Sequence, residues 1–160
     1  VYRVGLGFDA HRLVEGRKLL LGGVQVVHAK GLQGHSDADV LLHALTDALL
    51  GAAGLGDIGL HFPDSDPQWK DAASELFVRK TLEDLRKERW RIVNVDLLVI
   101  AQEPRLSTYR EQIRSSVSTL LALSQEQVNL KATTTDHMGF IGRGEGIAAQ
   151  AVVLLQKDES

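Results

Sequence analysis

The chain of 160 residues contains no cysteine, which excludes a disulfide framework, a thiolate metal site and a cysteine nucleophile. That absence agrees with a reducing compartment. No apolar run approaches the length of a bilayer span, and the first residues lack a secretory apolar stretch with its cleavage pattern. A membrane is therefore not an expected partner. Positive charge is not in excess either: the formal net charge is −3, which argues against a broad nucleic-acid face. Basic residues gather between Arg79 and Arg91, but Glu83, Asp84 and Glu88 interrupt them, as on a solvated helix face. Repeats, low-complexity tracts and linkers are also missing, so a single domain over 1–160 is expected. The chain opens on Val1 rather than Met, which leaves open a few trimmed residues or a targeting peptide.

What is present alternates between strand and helix patterns. Val4, Leu6 and Phe8 alternate with Gly5, Gly7, Asp9 and His11, a period-two strand with one apolar face. Two short strand-like runs follow around Gly22-Gly23. A helix capped at Ser36 is expected to end near Gly54 or Gly56, and 56–67 reads as a loop. Further helices are expected from about Ala72 to Arg89, with Phe77 and Leu85 inward, and from Thr108 to Leu123. Strands are expected over Ile92–Ile100, Val128–Ala132 and Gly146–Gln156. The last is small and apolar on both faces, so both should be covered. The expected fold class is α/β: a single mixed sheet with helices on one face and the other face toward a further subunit.

Asp9 and His11 project from one face of the first strand, and the glycines beside them leave room for something other than side chains. One carboxylate and two imidazoles, with His43 from the helix, suit a Zn²⁺-like ion with an open coordination position. Asp39, His43 and Asp47 repeat at helical spacing, so carboxylates flank the imidazole and could accept its second N–H. Spacing equally allows a Ser36-x-x-Asp39 capping box with His43 hydrogen-bonded and metal-free.

Four loops carry residue types that phosphate chemistry uses, and each also has a plain structural reading. His35 and Ser36 stand at a helix N-terminus, which favours an anion or merely caps the helix. Asp57, Asp64 and Asp66 could accept from diol hydroxyls or form an acidic turn. Thr133, Thr134, Thr135 and Asp136 offer three hydroxyls and a carboxylate suited to a hard cation, or simply end a strand. Gly139 to Gly146 surrounds Arg143 with glycines, fit for an oxyanion or for a hairpin turn with an Arg143–Glu145 pair. Walker A and dinucleotide fingerprints are both absent.

Together the strings Gly5-x-Gly-x-Asp9-x-His11-Arg-Leu, His35-Ser-Asp-x-Asp39…His43-Ala-Leu-Thr-Asp47 and Gly56-Asp-Ile-Gly…Phe62-Pro-Asp-Ser-Asp66 resemble the 2-C-methyl-D-erythritol 2,4-cyclodiphosphate synthase family. Asn129-x-Lys-Ala-Thr-Thr-Thr135 and Gly139-Phe-x-Gly-Arg-Gly-Glu-Gly146 extend the resemblance over nearly the whole chain. It implies Asp9, His11 and His43 as zinc ligands, and His35 and Thr134 as the pair that stabilises the transition state. It implies Asp57, Ile58, Gly59 and Phe62, Pro63, Asp64, Ser65, Asp66 around the methylerythritol part, with Ser36 also at the substrate. Ala101, Gln102, Pro104, Arg105 and Leu106 match the cytidine pocket, and Thr133 to Asp136 the diphosphate grip. Phe140 and Arg143 match a substrate pair that also borders a central cavity able to hold isoprenoid diphosphates. The resemblance further implies a homotrimer with active sites between subunits.

Asp136, the expected ligand of Mg²⁺ or Mn²⁺ with the substrate diphosphate, stands where the family usually has Glu. Glu103 and Ser107 also depart from the family pattern. Ala38 replaces a common Gly, a change expected to favour the helix. The implied reaction is a metal-assisted cyclisation that releases CMP. A phosphodiesterase using the same ligands, or a non-enzymatic trimer that carries isoprenoid diphosphates, are the competing readings.

Overall fold

The alternating segment does form a strand, and it runs past both ends of the pattern. In the computed structural model, which describes residues 1–158, the elements in chain order are β1 (Tyr2–Glu15), β2 (Leu19–Leu21), β3 (Val24–Val26), β4 (Lys30–Leu32), α1 (Val40–Ala53), α2 (Ile58–His61), α3 (Ser74–Lys87), β5 (Trp90–Ile100), α4 (Arg110–Leu121), β6 (Val128–Thr133), α5 (Gly139–Gly142) and β7 (Gly146–Lys157). The main sheet has the order β4-β1-β7-β5-β6, with β5 and β6 parallel and the other pairs antiparallel. A two-stranded ribbon, β2-β3, turns at Gly22-Gly23. Side chains of α1, α3 and α4 share one core with the inward residues of β5, β6 and β7. The fold is thus a mixed α/β layer with helices on one face. Among the described residues no helix is long and apolar enough to cross a membrane.

In the first half of β1 the apolar residues do not face that core, although Leu13 further along does. Val4, Leu6 and Phe8 are 68%, 66% and 54% exposed, while Gly5 and Gly7 are buried against α1. A Cβ on Gly5 would meet the Ala48 carbonyl oxygen at 2.0 Å, and one on Gly7 would meet that of Ala44 at 1.8 Å. Ala44, Ala48 and Ala52 recur every four residues, so a small-residue ridge of α1 lies on a strand that has no side chains there. The room beside the glycines is filled by helix backbone.

Two expectations about the start of α1 need correction. Its N-cap is Asp39, not Ser36, and Asp39 accepts from Leu42 N–H at 3.1 Å, so Asp39 is not the third residue of a capping box. Asp39 also accepts from Gly22 and Gly23 N–H at 2.9 and 2.7 Å, which ties the ribbon turn to the helix. Burial raises its carboxyl above the ordinary value, and those N–H donors offset part of that rise. Ala38 precedes the helix at φ 58°, so Ala is strained there and favours nothing; this left-handed position suits Gly. The C-terminus ends as expected, on Gly54 at φ 74°. The segment 56–67 is not all loop, since it holds α2 and enters a short 3₁₀ turn, Pro67–Trp69.

Candidate metal centre

Close approach of α1 to β1 sets the site. His43 adjoins Ala44 on the ridge, so its ring arrives directly over Asp9 and His11. Asp9 Oδ2 lies 2.8 Å from His11 Nε2 and 3.1 Å from His43 Nδ1, and the two nitrogens are 3.2 Å apart. One donor atom from each residue falls within 4.8 Å of the others. The second nitrogens are engaged as well. His11 Nδ1 stands 2.9 Å from the Gln33 carbonyl oxygen, and donation there leaves the Nε2 lone pair in the cluster. His43 Nε2 meets Ser74 Oγ at 2.8 Å and Ser36 Oγ at 3.1 Å.

Burial alone would push the Asp9 carboxyl up, but hydrogen bonds and charge from His11 and His43 hold it well below the carboxylate range. For His11, burial favours the neutral ring, yet Asp9 raises it above the ordinary imidazole value. Three hard-to-intermediate donors, fixed from behind and open on one side, fit a divalent ion that keeps an exchangeable position.

The flanking carboxylates do not serve His43 as expected. Asp39 is spent on the cap and turn, and Asp47 accepts from Ile58 N–H at 2.8 Å, positioning α2. The acceptors at His43 are serine hydroxyls instead. Ser74 and Asp37 are absent from the sequence-derived site, because nothing local to either links it to His43.

A cavity of about 410 Å³ opens beside the cluster. It brings Asp9, His11 and His43 together with His35, Ser36, Ile58, Gly59, Phe62, Pro63 and Asp64. Gly34, Trp69 and Phe77 complete it, none of which sequence reading placed there. Phe77 was expected in the main core. It stacks on Phe62 at 4.6 Å, with the Trp69 edge 5.2 Å from Phe62, and forms a separate aromatic floor. Arg17 pins the rim by donating to the Gly34 and Ser36 carbonyls at 3.2 and 2.8 Å.

Two of the three loop aspartates act as caps: Asp57 accepts from Leu60 N–H at 2.9 Å, and Asp66 from Gln68 N–H at 3.0 Å. Asp64 lines the cavity, and Ser65 is exposed next to it. His35 Nε2 meets the Asp66 carbonyl oxygen at 3.1 Å, so that nitrogen's proton goes to the loop.

A second cavity, also of about 410 Å³, lies between Ala101, Gln102, Pro104, Arg105, Leu106 and the strand end Ala132–Thr134. Among the described residues none lines both cavities. In register, Ala10 pairs with Ala148, Ala148 with Ile100 and Ile100 with Thr133. Three strand spacings thus separate the two sites, roughly 14 Å within one chain. His35 and Thr134 are therefore not brought together by a single copy. Thr133, Thr134 and Asp136 are exposed and Thr135 is half-buried.

Asp136 and His137 sit at φ 51° and 63° in a tight turn closed by Met138 N–H on the Thr135 carbonyl at 3.0 Å. That left-handed backbone is easier for Asp than for most side chains. Arg143 and Glu145 form the surface pair at 3.0 Å, beside a half-exposed Phe140. The residues 139–142 make one helical turn rather than a plain hairpin.

A mixed-sheet α/β protein with an Asp/His/His cluster beside an acid- and hydroxyl-lined cleft is the class that fold and site define. A sequence model of the YgbB family matches residues 2–156, so the chain belongs to that family. It is 57% identical, over 97% of its length, to the 2-C-methyl-D-erythritol 2,4-cyclodiphosphate synthase of Syntrophomonas wolfei, of which 99% is covered. The Geobacillus kaustophilus enzyme of that name is 58% identical over 98% of this chain and 99% of its own length. A solved synthase of that name in a CDP-bound form superposes with a TM-score of 0.89 at 40% identity, covering 96% of this chain and all of the other. The bifunctional IspDF of Campylobacter jejuni superposes at 0.95 with 43% identity; this chain covers 43% of that longer one, and 99% of this chain is matched.

Proposed function

We propose that the chain converts 4-diphosphocytidyl-2-C-methyl-D-erythritol 2-phosphate into 2-C-methyl-D-erythritol 2,4-cyclodiphosphate with release of CMP. It would act as a phosphorus–oxygen lyase of the methylerythritol phosphate route to isoprenoid precursors, with all catalytic residues drawn from copies of this one domain. The observation that carries this reading is the Asp9–His11–His43 cluster in the cavity formed with Ile58, Gly59, Phe62 and Asp64.

An oxygen of the 2-phosphate forms a bond to the β-phosphorus, and the bond from that phosphorus to the bridging oxygen breaks. The electron pair leaves on CMP. A phosphate is already ionised near neutral pH, so no side-chain nucleophile or base is required. Positioning and charge neutralisation then carry the rate. Zn²⁺ at Asp9, His11 and His43, and Mg²⁺ or Mn²⁺ with the diphosphate at Asp136, would supply the Lewis-acid charge that offsets the phosphates and the departing CMP.

The chain's own residues bind and orient. Asp64 and the Gly59 N–H would hold the diol, with the Ile58 side chain beside it. Ala101 to Leu106 would hold cytidine, and Thr133 and Thr135 the phosphates. His35 and Thr134 would stand beside the oxygens that gain charge, with the Thr134 hydroxyl donating to them.

A homotrimer with sites between copies is part of the proposal. It is supported by the uncovered apolar face of Val4, Leu6, Phe8 and Val152, and by the separation of the two cavities. Phe140 and Arg143 would then border a shared central cavity able to take an isoprenoid diphosphate. A bacterial cytoplasmic location accords with the bacterial relatives. The test is phosphorus NMR of the protein with that substrate and Mg²⁺, with and without chelator. A chelator-sensitive cyclic diphosphate appearing with CMP is the expected result. Open-chain products would mean hydrolysis, and unchanged substrate with the metal bound would overturn the reading.

A further inference from the structure

His43 is the ligand of the cluster that comes from a helix, and residues of two other segments hold its ring from behind. Ser74, the first residue of α3, is fully buried with its Oγ 2.8 Å from His43 Nε2. The Ser74 hydroxyl donates to Asp37 Oδ1, and its backbone N–H donates to Asp37 Oδ2 at 3.0 Å. A hydroxyl has one hydrogen, and a carboxylate only accepts. With that hydrogen committed to Asp37, Ser74 Oγ can only accept from His43. Nε2 must then carry the ring proton, and the Nδ1 lone pair points at Asp9 Oδ2, 3.1 Å away. Ser36 Oγ, 3.1 Å from the same Nε2, takes the Ala38 N–H at 3.2 Å and adds a weaker second acceptor.

We infer that Ser74 and Asp37 are a positioning pair that fixes the tautomer and ring plane of His43 and thereby sets the metal affinity of the cluster. The inference rests on the metal reading above. A carboxylate behind the hydroxyl polarises it, which strengthens the Nε2–H bond and makes Nδ1 a better donor. The pair joins the loop before α1 to the start of α3, so the two helices are held in register around the ligand.

The test compares wild type, Ser74→Ala and Ser74→Thr for Zn²⁺ affinity by chelator competition at one pH. Ser74→Ala keeps the backbone N–H bond to Asp37, so the anchor of α3 survives. Its affinity is expected to fall about 10–100-fold, with the Tm of the metal-stripped protein near wild type. Ser74→Thr, which keeps the hydroxyl, is expected to recover most of the loss. Wild-type affinity in Ser74→Ala overturns the inference. So does a loss shared by Ser74→Thr that tracks a fallen Tm in the stripped protein. A wild-type protein that binds no Zn²⁺ refutes the metal reading itself, and the inference with it. Should Ser74→Ala fail to fold, NMR of wild type loaded with spin-active cadmium decides. Metal coupling to His43 Nδ1 with a slowly exchanging Nε2 proton supports the pair; coupling to Nε2, or a freely exchanging proton, overturns it.

Discussion

The Asp9, His11 and His43 side chains are half-buried and hydrogen-bonded from behind, whereas Thr133, Thr134 and Asp136 stand exposed at the far edge of the same sheet. The first region is finished within one copy: strand, helix, a backbone carbonyl and serine hydroxyls hold each ligand before anything binds. The second presents hydroxyls and a carboxylate on a strand end and a tight turn, beside the open cavity that Ala101 to Leu106 line. A diphosphate is far shorter than the roughly 14 Å that three strand spacings put between them. A diphosphate would touch both regions only if they came from different copies, as in the proposed trimer. The difference teaches that preorganisation and completeness are separate properties, and that the sheet supplies each at a different edge.

The largest effect should come from breaking the finished half. His43→Ala is expected to lose Zn²⁺ and activity together, by about a thousandfold or more if the ion contributes several kcal/mol. Metal content and the phosphorus NMR assay measure the two losses, and full activity in that variant would dismiss the zinc assignment. Asp136→Ala attacks the open half. Activity should fall about a hundredfold while zinc content is unchanged, which metal analysis of the same sample would show.

The two halves can also be separated between molecules. Co-refolding His43→Ala with Thr134→Ala should restore activity to about a quarter of wild type, since random mixing puts two intact halves together at that frequency. Adding Leu6→Asp to both chains should abolish the rescue without loss of the Thr134→Ala chain's metal. A mixture that stays inactive would place both halves in one chain.

The pH dependence sharpens the comparison on the metal side alone. Asp9 is depressed below 3.8, so its contribution to stability is present above that value and fades as pH falls through the lowered one. His11 is raised above 6.5, so its contribution is present below that value and is lost as pH rises through the raised one. The metal-stripped protein should therefore melt lower in alkali, while the loaded protein, with both rings neutral and bound, should not. Equal alkaline slopes in thermal melts would remove this account. The smallest effect concerns the entry to α1: Ala38→Gly should raise stability by about 1 kcal/mol, seen in denaturant unfolding with no change in metal affinity.

Much of the metal side was legible because its signals are local. Period two places Asp9 and His11 on one face, and a capped apolar run carries His43. The same local logic misled at Ala38 and Asp39, where the chain turns before the helix starts and helix propensity has no bearing. It was silent on Ser74 and Asp37, which lie 31 and 6 positions from His43 and meet it only after α3 packs beside α1. The acidic loop looked like a set of substrate acceptors, but Asp57 and Asp66 cap short turns and leave Asp64 at the cavity.

By itself the sequence determined the longer strands and helices, the donor set of the cluster and, through motifs spread along its length, the family. These follow from residue chemistry and short-range spacing, which do not depend on how distant segments meet. Tertiary structure alone decided that the glycine face of β1 turns inward, because only there can the Ala44–Ala48–Ala52 ridge lie on bare backbone. It likewise decided which hydroxyl stands behind His43, and that Thr134 lies three strands from the metal side, since strand order and helix packing are set by burial across the whole sheet.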